Sequence, residues 1–301
     1  MGRRKGRSVN GILLLDKPSG LTSNRALQRA KSLLFASKAG HTGSLDPLAS
    51  GLLPLCFGHA TKVSGYLLNA HKTYEVKAAF GTRTDTADAE GEAVETSDAR
   101  PTMDQIDAVL PQFLGPQQQI PPMYSALKHE GRRLYKLARE GKVVERPPRA
   151  ITVLSLERLS STEGQMALRV QCSKGTYIRT LVEDIAEALG ALAHVIVLRR
   201  TAAGPFSAAE LVTLEQIETV VDEHGPESAD QWLLPIDRAL QDWPRVQLDS
   251  DTGFYLLNGQ SVQAPDAPSR GDVRVYVEGK GFVGLGKMLP DGRVAPRKLF
   301  H

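Results

Sequence analysis

Leu168-Arg-Val-Gln-Cys-Ser-Lys-Gly-Thr-Tyr-Ile-Arg179 changes its hydrophobic period part-way along. Leu168, Val170 and Cys172 alternate with polar residues, as on a half-buried strand. Ser173-Lys-Gly175 then turns the chain, and Ile178, Leu181, Val182, Ile185 and Leu189 recur at helical spacing up to Gly190, a helix stop. Working outward, Val195 to Leu198 reads as a buried strand, and Thr73 to Phe80 as a strand with Tyr74, Val76, Ala78 and Phe80 on one face. Leu52 to Phe57 is a strand in an edge or irregular position, because Pro54 cannot donate to a ladder. Thr22-Ser23-Asn24 offers cap oxygens to a helix carrying Leu27, Ala30 and Leu34, expected to end near Gly40. Thr102 and Gln105 form a capping-box pattern for a helix that stops near Pro111. Polar, proline-bearing Gln117 to Ser125 reads as loop, and a further helix surrounds Leu214, Ile217 and Val220. Strand-like runs with a few helices and no repeat period predict an α+β fold and exclude solenoids.

Composition narrows the class. The 301 residues are 41% hydrophobic and 24% charged, enough apolar material for a core and about two domains. With 37 Lys+Arg against 34 Asp+Glu, the net +3 permits a polyanionic partner without demanding one. The longest apolar runs fall far short of the roughly 18 residues that span a bilayer, and no signal-peptide core follows the basic start, so a cytoplasmic protein is expected. Residues 1–10, with Arg3 to Arg7, read as a flexible basic arm. Cys56 and Cys172 are far apart and in no Cys-x-x-Cys context, which argues against a disulfide framework or zinc. No phosphate-cradling NTPase loop occurs, the match at Gly279 to Gly284 has no room for a βαβ unit, and the 7 histidines lack metal-ligand spacing.

The remaining chemistry sits in two polar loops. Ala39-Gly-His-Thr-Gly-Ser-Leu-Asp-Pro-Leu-Ala-Ser-Gly51 places Asp46 before a proline, out of helical geometry, among glycines that allow close approach of a ligand. On their own, Asp46 reads more readily as an Asx-turn and His41 as a loop histidine bonded to backbone. In the second loop Arg179 falls in the first turn of its helix, where a cation opposes the macrodipole by about 0.3–1 kcal/mol. A carboxylate partner would offset this. Asp46 is one candidate, held ionised and aimed by a bidentate fork; Glu183, one turn along, is another. Tyr74 and Tyr177 are either core aromatics with a polar handle or platforms for an unstacked base. Between the loops, Lys128 to Arg149 is a local basic stretch around a short helix with Leu134 and Leu137.

Taken together these segments resemble the bacterial tRNA pseudouridine synthases of the TruB type. The resemblance rests on Asp16-Lys-Pro-Ser-Gly-Leu-Thr-Ser23, Gly40-His-Thr-Gly-Ser-Leu-Asp-Pro-Leu-Ala-Ser-Gly51, Lys72-Thr-Tyr-Glu75 and Gly81-Thr-Arg-Thr-Asp-Thr-Ala-Asp-Ala-Glu-Gly91. It continues in Pro122-Met-Tyr-Ser-Ala-Leu-Lys128, Cys172-Ser-Lys-Gly-Thr-Tyr-Ile-Arg179 and His194-Val-Ile-Val-Leu-Arg-Arg200, in the family's order. It implies a catalytic domain over residues 11–243 with a central mixed sheet and an RNA cleft. Residues 244–301 look like the family's small PUA-type β-barrel, on a weaker match. The resemblance makes Asp46 the catalytic aspartate, Arg179 its partner, and Tyr74 the tyrosine that stacks on the target uracil and helps remove its C5 proton. Tyr177 and Leu198 match positions lining the uridine pocket, and His41 a histidine among flipped-out T-loop bases. Lys17 and Pro18 match a motif supporting the catalytic loop. Lys128, Arg132, Arg133, Lys136 and Arg146 are candidates for phosphate contacts.

The implied reaction converts uridine 55 of the tRNA T-arm to pseudouridine, breaking the N1 to C1′ bond and rejoining the base through C5. It calls for no cofactor or metal, and a monomer is expected because no long exposed apolar seam is evident. One carboxylate suffices, attacking C1′ or C6 or removing the 2′ proton. A non-catalytic RNA-binding protein would use the same cleft, with Asp46→Asn making no difference. A nucleoside hydrolase would need a second acid, and no motif supplies one beside Asp46.

Overall fold

A computed structural model describes residues 6–159, 162–264 and 266–300. In chain order the first half contains β1 (Gly11–Lys17), α1 (Ser23–Leu33), β2 (Ala39–His41), β3 (Ser50–Phe57), α2 (Ser64–Asn69), β4 (Lys72–Phe80), β5 (Thr82–Thr84), β6 (Ala93–Thr96), α3 (Met103–Val109), β7 (Gly115–Gln119), β8 (Lys128–His129), β9 (Arg132–Arg133), α4 (Leu134–Arg139) and β10 (Arg149–Arg158). The second half adds β11 (Gln165–Cys172), α5 (Ile178–Ala188), β12 (Ala193–Ala203), β13 (Phe206–Ser207), α6 (Leu214–His224), β14 (Arg245–Leu248), α7 (Ser250–Leu257), β15 (Val262–Gln263), β16 (Gly271–Val277), β17 (Gly281–Met288) and β18 (Arg293–Leu299).

One sheet runs β1-β3-β12-β4-β11-β10-β7, with β2 paired to β3 and β13 to β12. It is mixed, as expected: β3 and β12 are parallel, with Arg199 and Arg200 opposite Ser50 and Gly51, and the other junctions are antiparallel. On one face a core that includes Leu27, Ile106, Leu181, Ile185 and Ile217 brings together α1, α3, α5 and α6. A second core joins Ile12 and Leu52 to Leu67 of α2 and to Leu285 of β17. Residues 245–299 form a second sheet, β14-β16-β17-β18-β15, curled into a half-barrel. Lys62 Nζ donates to the Leu299 carbonyl at 2.7 Å, and the Tyr276 hydroxyl to Asp237 at 2.5 Å, so polar bonds from the short 3-10 turns at Gly58–Lys62 and Ile236–Leu240, as well as apolar packing, hold this second sheet against the rest of the chain. Among the described residues no helix is long and apolar enough to cross a membrane.

The structure departs from sequence expectation in four places. Helix α1 ends at Leu33, not near Gly40, because Phe35 adopts a positive φ of 47° and the chain returns as β2. Of the stretch expected as loop, Gln117 to Gln119 instead belongs to β7 (Gly115–Gln119), the outermost strand of the large sheet, paired along Arg149–Val153, while residues 120–125 are loop. An edge strand needs only backbone bonds on one side, so a glutamine run serves. The basic arm is not free where it is described: Arg7 donates to Asp230 and to the Leu34 and Pro226 carbonyls, and its amide to Phe35. Residues 1–5 of the arm lie outside the described residues. Pro54, expected at an edge or irregular position, instead stands in unbroken register opposite Leu14 of β1 on an interior strand; on its other side it falls between the β12 pairing at Ser50 and Gly51 and the β2 pairing at Leu55 to Phe57, and its carbonyl accepts from the Thr42 amide.

Gly51 is the second residue of β3, the strand that carries the Asp46 loop into the sheet. Its φ is +97°, and a Cβ there would stand 2.3 Å from the Arg200 carbonyl oxygen. Neither strain nor clash can relax without separating β3 from β12. Gly51→Ala should therefore destabilise the fold by about 3 kcal/mol, read as an earlier urea midpoint; an unchanged midpoint would mean the junction is plastic.

Candidate active site

The loop from Thr42 to Ala49 is held on both sides of Asp46. Before it, Ser23 Oγ accepts from the Leu45 amide at 2.7 Å and donates to the Leu45 carbonyl at 3.0 Å. After it, the Pro47 carbonyl accepts from the Gly20 amide at 2.8 Å and from Lys17 Nζ at 3.3 Å. The Lys17 ammonium is fully buried, and burial pushes it down to about 8. Asp46 is thus aimed by its neighbours' backbone rather than by an Asx-turn of its own.

Arg179 meets Asp46 from α5, with Nε 3.0 Å from Oδ2. The arginine is 4% exposed and the aspartate 41%, so the cation is packed while the carboxylate faces a cavity. The fork is not bidentate on Asp46, contrary to expectation. Nη1 donates to the Thr86 carbonyl at 2.6 Å and lies 3.5 Å from Asp88, and Nη2 donates to the Tyr124 carbonyl at 2.8 Å. Every nitrogen of the guanidinium is engaged, which fixes its plane. Burial raises the Asp46 carboxyl above its ordinary value, Arg179 opposes that shift, and the neighbouring Asp88 adds to it. Glu183 makes no ion pair with Arg179 among the described residues.

A cavity of about 310 Å³ opens over this pair, within the range of small-ligand sites. Tyr74, Tyr177 and Leu198 line it with Asp46 and Arg179. Burial raises the phenols of Tyr74 and Tyr177. Tyr177 is the N-cap position of α5, and buried Gln119 brackets its backbone, donating to the carbonyl at 3.0 Å and accepting from the amide at 2.8 Å. His41, Lys17 and Pro18 are not in the cavity wall. Lys17 lies behind the loop, and His41 belongs to β2 with its Nδ1 buried and unbonded among the described residues.

The basic insertion hangs from the cavity rim, since the Tyr135 amide donates to the carbonyl of Ser125, itself a cavity residue. Lys128, Arg133 and Lys136 are exposed and form no ion pair among the described residues. The other two candidates are engaged: Arg132 pairs with Glu140, and Arg146 donates to the Pro121 carbonyl at 3.2 Å. Sequence reasoning missed Asp88, Gln119, Lys72 and Arg200. Lys72 and Arg200 lie within the quoted motifs, and a cation on an otherwise buried strand was the available signal. Among the described residues no group of three or more His, Cys, Asp or Glu could hold a metal ion.

Residues 31–178 match the TruB family pseudouridylate synthase N-terminal domain, 179–241 the tRNA pseudouridylate synthase B C-terminal domain, and 244–300 the C-terminal domain of pseudouridine synthase II TruB. Over 299 residues the chain is 57% identical to the tRNA pseudouridine synthase B of Pseudomonas fluorescens strain Pf-5, covering 99% of this chain and 98% of that protein. The chain belongs to the TruB family. Identity to the Pseudomonas putida strain F1 member is 56% over the same share of both chains. Among solved structures, a chain of the H/ACA RNP bound to a substrate RNA containing 2′-deoxyuridine superposes with a TM-score of 0.75 at 26% identity, covering 100% of this chain and 91% of that one.

Proposed function

We propose that the protein isomerises uridine to pseudouridine in tRNA, at position 55 of the T-arm loop. The observation that carries this reading is a cavity-facing carboxylate, Asp46, held 3.0 Å from a buried guanidinium whose other nitrogens are occupied. Asp46 is the reacting group, kept ionised by Arg179 against the push of burial. Tyr74 stacks on the flipped-out base and helps remove its C5 proton; Tyr177 and Leu198 close the pocket. Lys17 and Pro18 support the loop, and His41 fills space among the displaced loop bases.

In the same reading residues 11–243 are the catalytic domain and 244–301 a PUA-type RNA-binding module, and the protein works as a cytoplasmic monomer. Incubation with unmodified tRNA and with a T-arm hairpin, followed by carbodiimide treatment and primer extension, should give in both a stop one nucleotide 3′ of position 55, where the adduct on residue 55 blocks the polymerase. No stop, or a stop elsewhere, contradicts the assignment.

Lys128, Arg133 and Lys136 supply phosphate contacts, which unstacking a stacked base requires as compensation. Changing all three to alanine should weaken tRNA binding and reduce the slope of log K against log salt by about 2–3. An unchanged slope would assign them to a solvated face.

A further inference from the structure

Two cations line the Asp46 cavity with no carboxylate to match them. Arg200, opposite Tyr74 across the β12 to β4 ladder, is 1% exposed, and Lys72, at the start of β4, is 6% exposed. Arg200 donates through Nε to the Leu52 carbonyl at 2.7 Å and through Nη2 to the Gly43 carbonyl at 3.0 Å. Lys72 spreads its ammonium over the carbonyls of Leu67, Leu68 and Ala70, at 3.1, 2.7 and 2.6 Å. Neither forms an ion pair among the described residues, whereas Arg179 in the same wall has both Asp46 and Asp88. Carbonyl dipoles hold these two charges in place without cancelling them, and a buried charge with no counter-charge is costly. Lys72 registers the imbalance: burial and the neighbouring Arg200 push it down to about 8. A fold that keeps two unmatched cations in the wall of a reaction cavity is arranged for an anion that forms there.

We propose that Arg200 and Lys72 form an anion site for the uracil ring after its N1 to C1′ bond has broken, an inference that rests on the isomerase reading. When that bond breaks its electron pair stays on the base, which departs as an anion with charge spread over N1, O2 and O4. The sugar carbon is meanwhile captured by the Asp46 carboxylate, or gives its 2′ proton to it. The base turns and C5 bonds to C1′ as the Asp46 ester bond breaks, or as Asp46 returns the proton to C2′; C5 then loses its proton and N1 gains one, so charge and atoms balance and the carboxylate is regenerated. A turning ring cannot keep one fixed hydrogen bond to each atom. Two immobile charges in the cavity wall stabilise it in every orientation, and Arg200 stands beside the Tyr74 hydroxyl, where the ring would stack.

The test compares the single-turnover rate at which the N1-linked nucleotide is consumed in two T-arm hairpins, one with uridine at the target and one with 5-fluorouridine, whose ring anion is the more stable and whose C5 has no proton to lose, so that glycosidic cleavage and not proton release is read. Each of Arg200→Met, Lys72→Met and Arg200→Lys is measured on both. We expect the two methionine variants to lose about 10²-fold on uridine and several-fold less on 5-fluorouridine, with Arg200→Lys retaining most of the rate on both. Equal losses on the two hairpins would overturn the proposal, since a cation that merely ties strands together has no reason to sense the leaving group. If Arg200→Met does not fold, the ratio for Lys72→Met decides by the same criterion. Wild-type protein that rearranges neither hairpin would refute the isomerase reading itself, a result distinct from equal losses.

Discussion

Asp46→Asn is expected to lower turnover by at least about 10⁴-fold, the scale seen when the reacting group of an enzyme is removed, with tRNA affinity unchanged. Asparagine keeps the shape and can still accept from Arg179 Nε, but cannot act as nucleophile or base. Stability should hold or rise, because the ionised carboxylate is disfavoured where it sits: burial and Asp88 both push Asp46 toward its neutral form. The loop does not depend on the side chain, since Ser23, Gly20 and Lys17 hold the flanking backbone. Retained activity, or melting well below the wild type, would make Asp46 structural. The same displacement bears on pH. The reaction needs the ionised form, so the acid limb of kcat/KM should lie above the ordinary aspartate value of about 3.9.

Arg179→Lys should cost both rate and stability. An ammonium presents its donors from one point and cannot reach Asp46, Asp88 and the Thr86 and Tyr124 carbonyls together, as the guanidinium does. We expect kcat to fall by about 10³-fold and unfolding free energy by about 3 kcal/mol, typical of breaking a buried pair. Asp88→Asn separates the two effects: it leaves the Asp46 contact intact while loosening Nη1, and so should reduce kcat less than Arg179→Lys does and leave KM unchanged. A rise in KM alone for either variant would mean that the network binds RNA instead of aiming Asp46.

The elements with a clear buried face were legible in the sequence. Val76, Ala78 and Phe80 on β4, and Leu181, Val182 and Ile185 on α5, are buried where the periods of two and 3.6 put them. What escaped was set by distant partners. The Gln117–Gln119 run has no apolar signal, because its strand identity comes from the backbone of Arg149 to Ile151. Arg7 reads as part of a solvated arm until Asp230, far along the chain, is folded against it. For Arg179 spacing alone favoured an exposed side chain or a pair with Glu183, and only the resemblance turned the reading to Asp46. The sharing of its fork with Thr86, Tyr124 and Asp88 needs coordinates. Lys72 and Arg200 illustrate the same limit: a charge in a strand reads as exposed, and only the assembled sheet supplies the carbonyls that let it be buried.

The most direct measurement is tritium release from a T-arm transcript carrying C5-labelled uridine, run with wild-type protein and Asp46→Asn in parallel and no added metal or cofactor. Stoichiometric release by the wild type and none by the variant is the predicted result. Release by both, or by neither despite tight, salt-sensitive binding, would contradict a mechanism built on the Asp46 carboxylate.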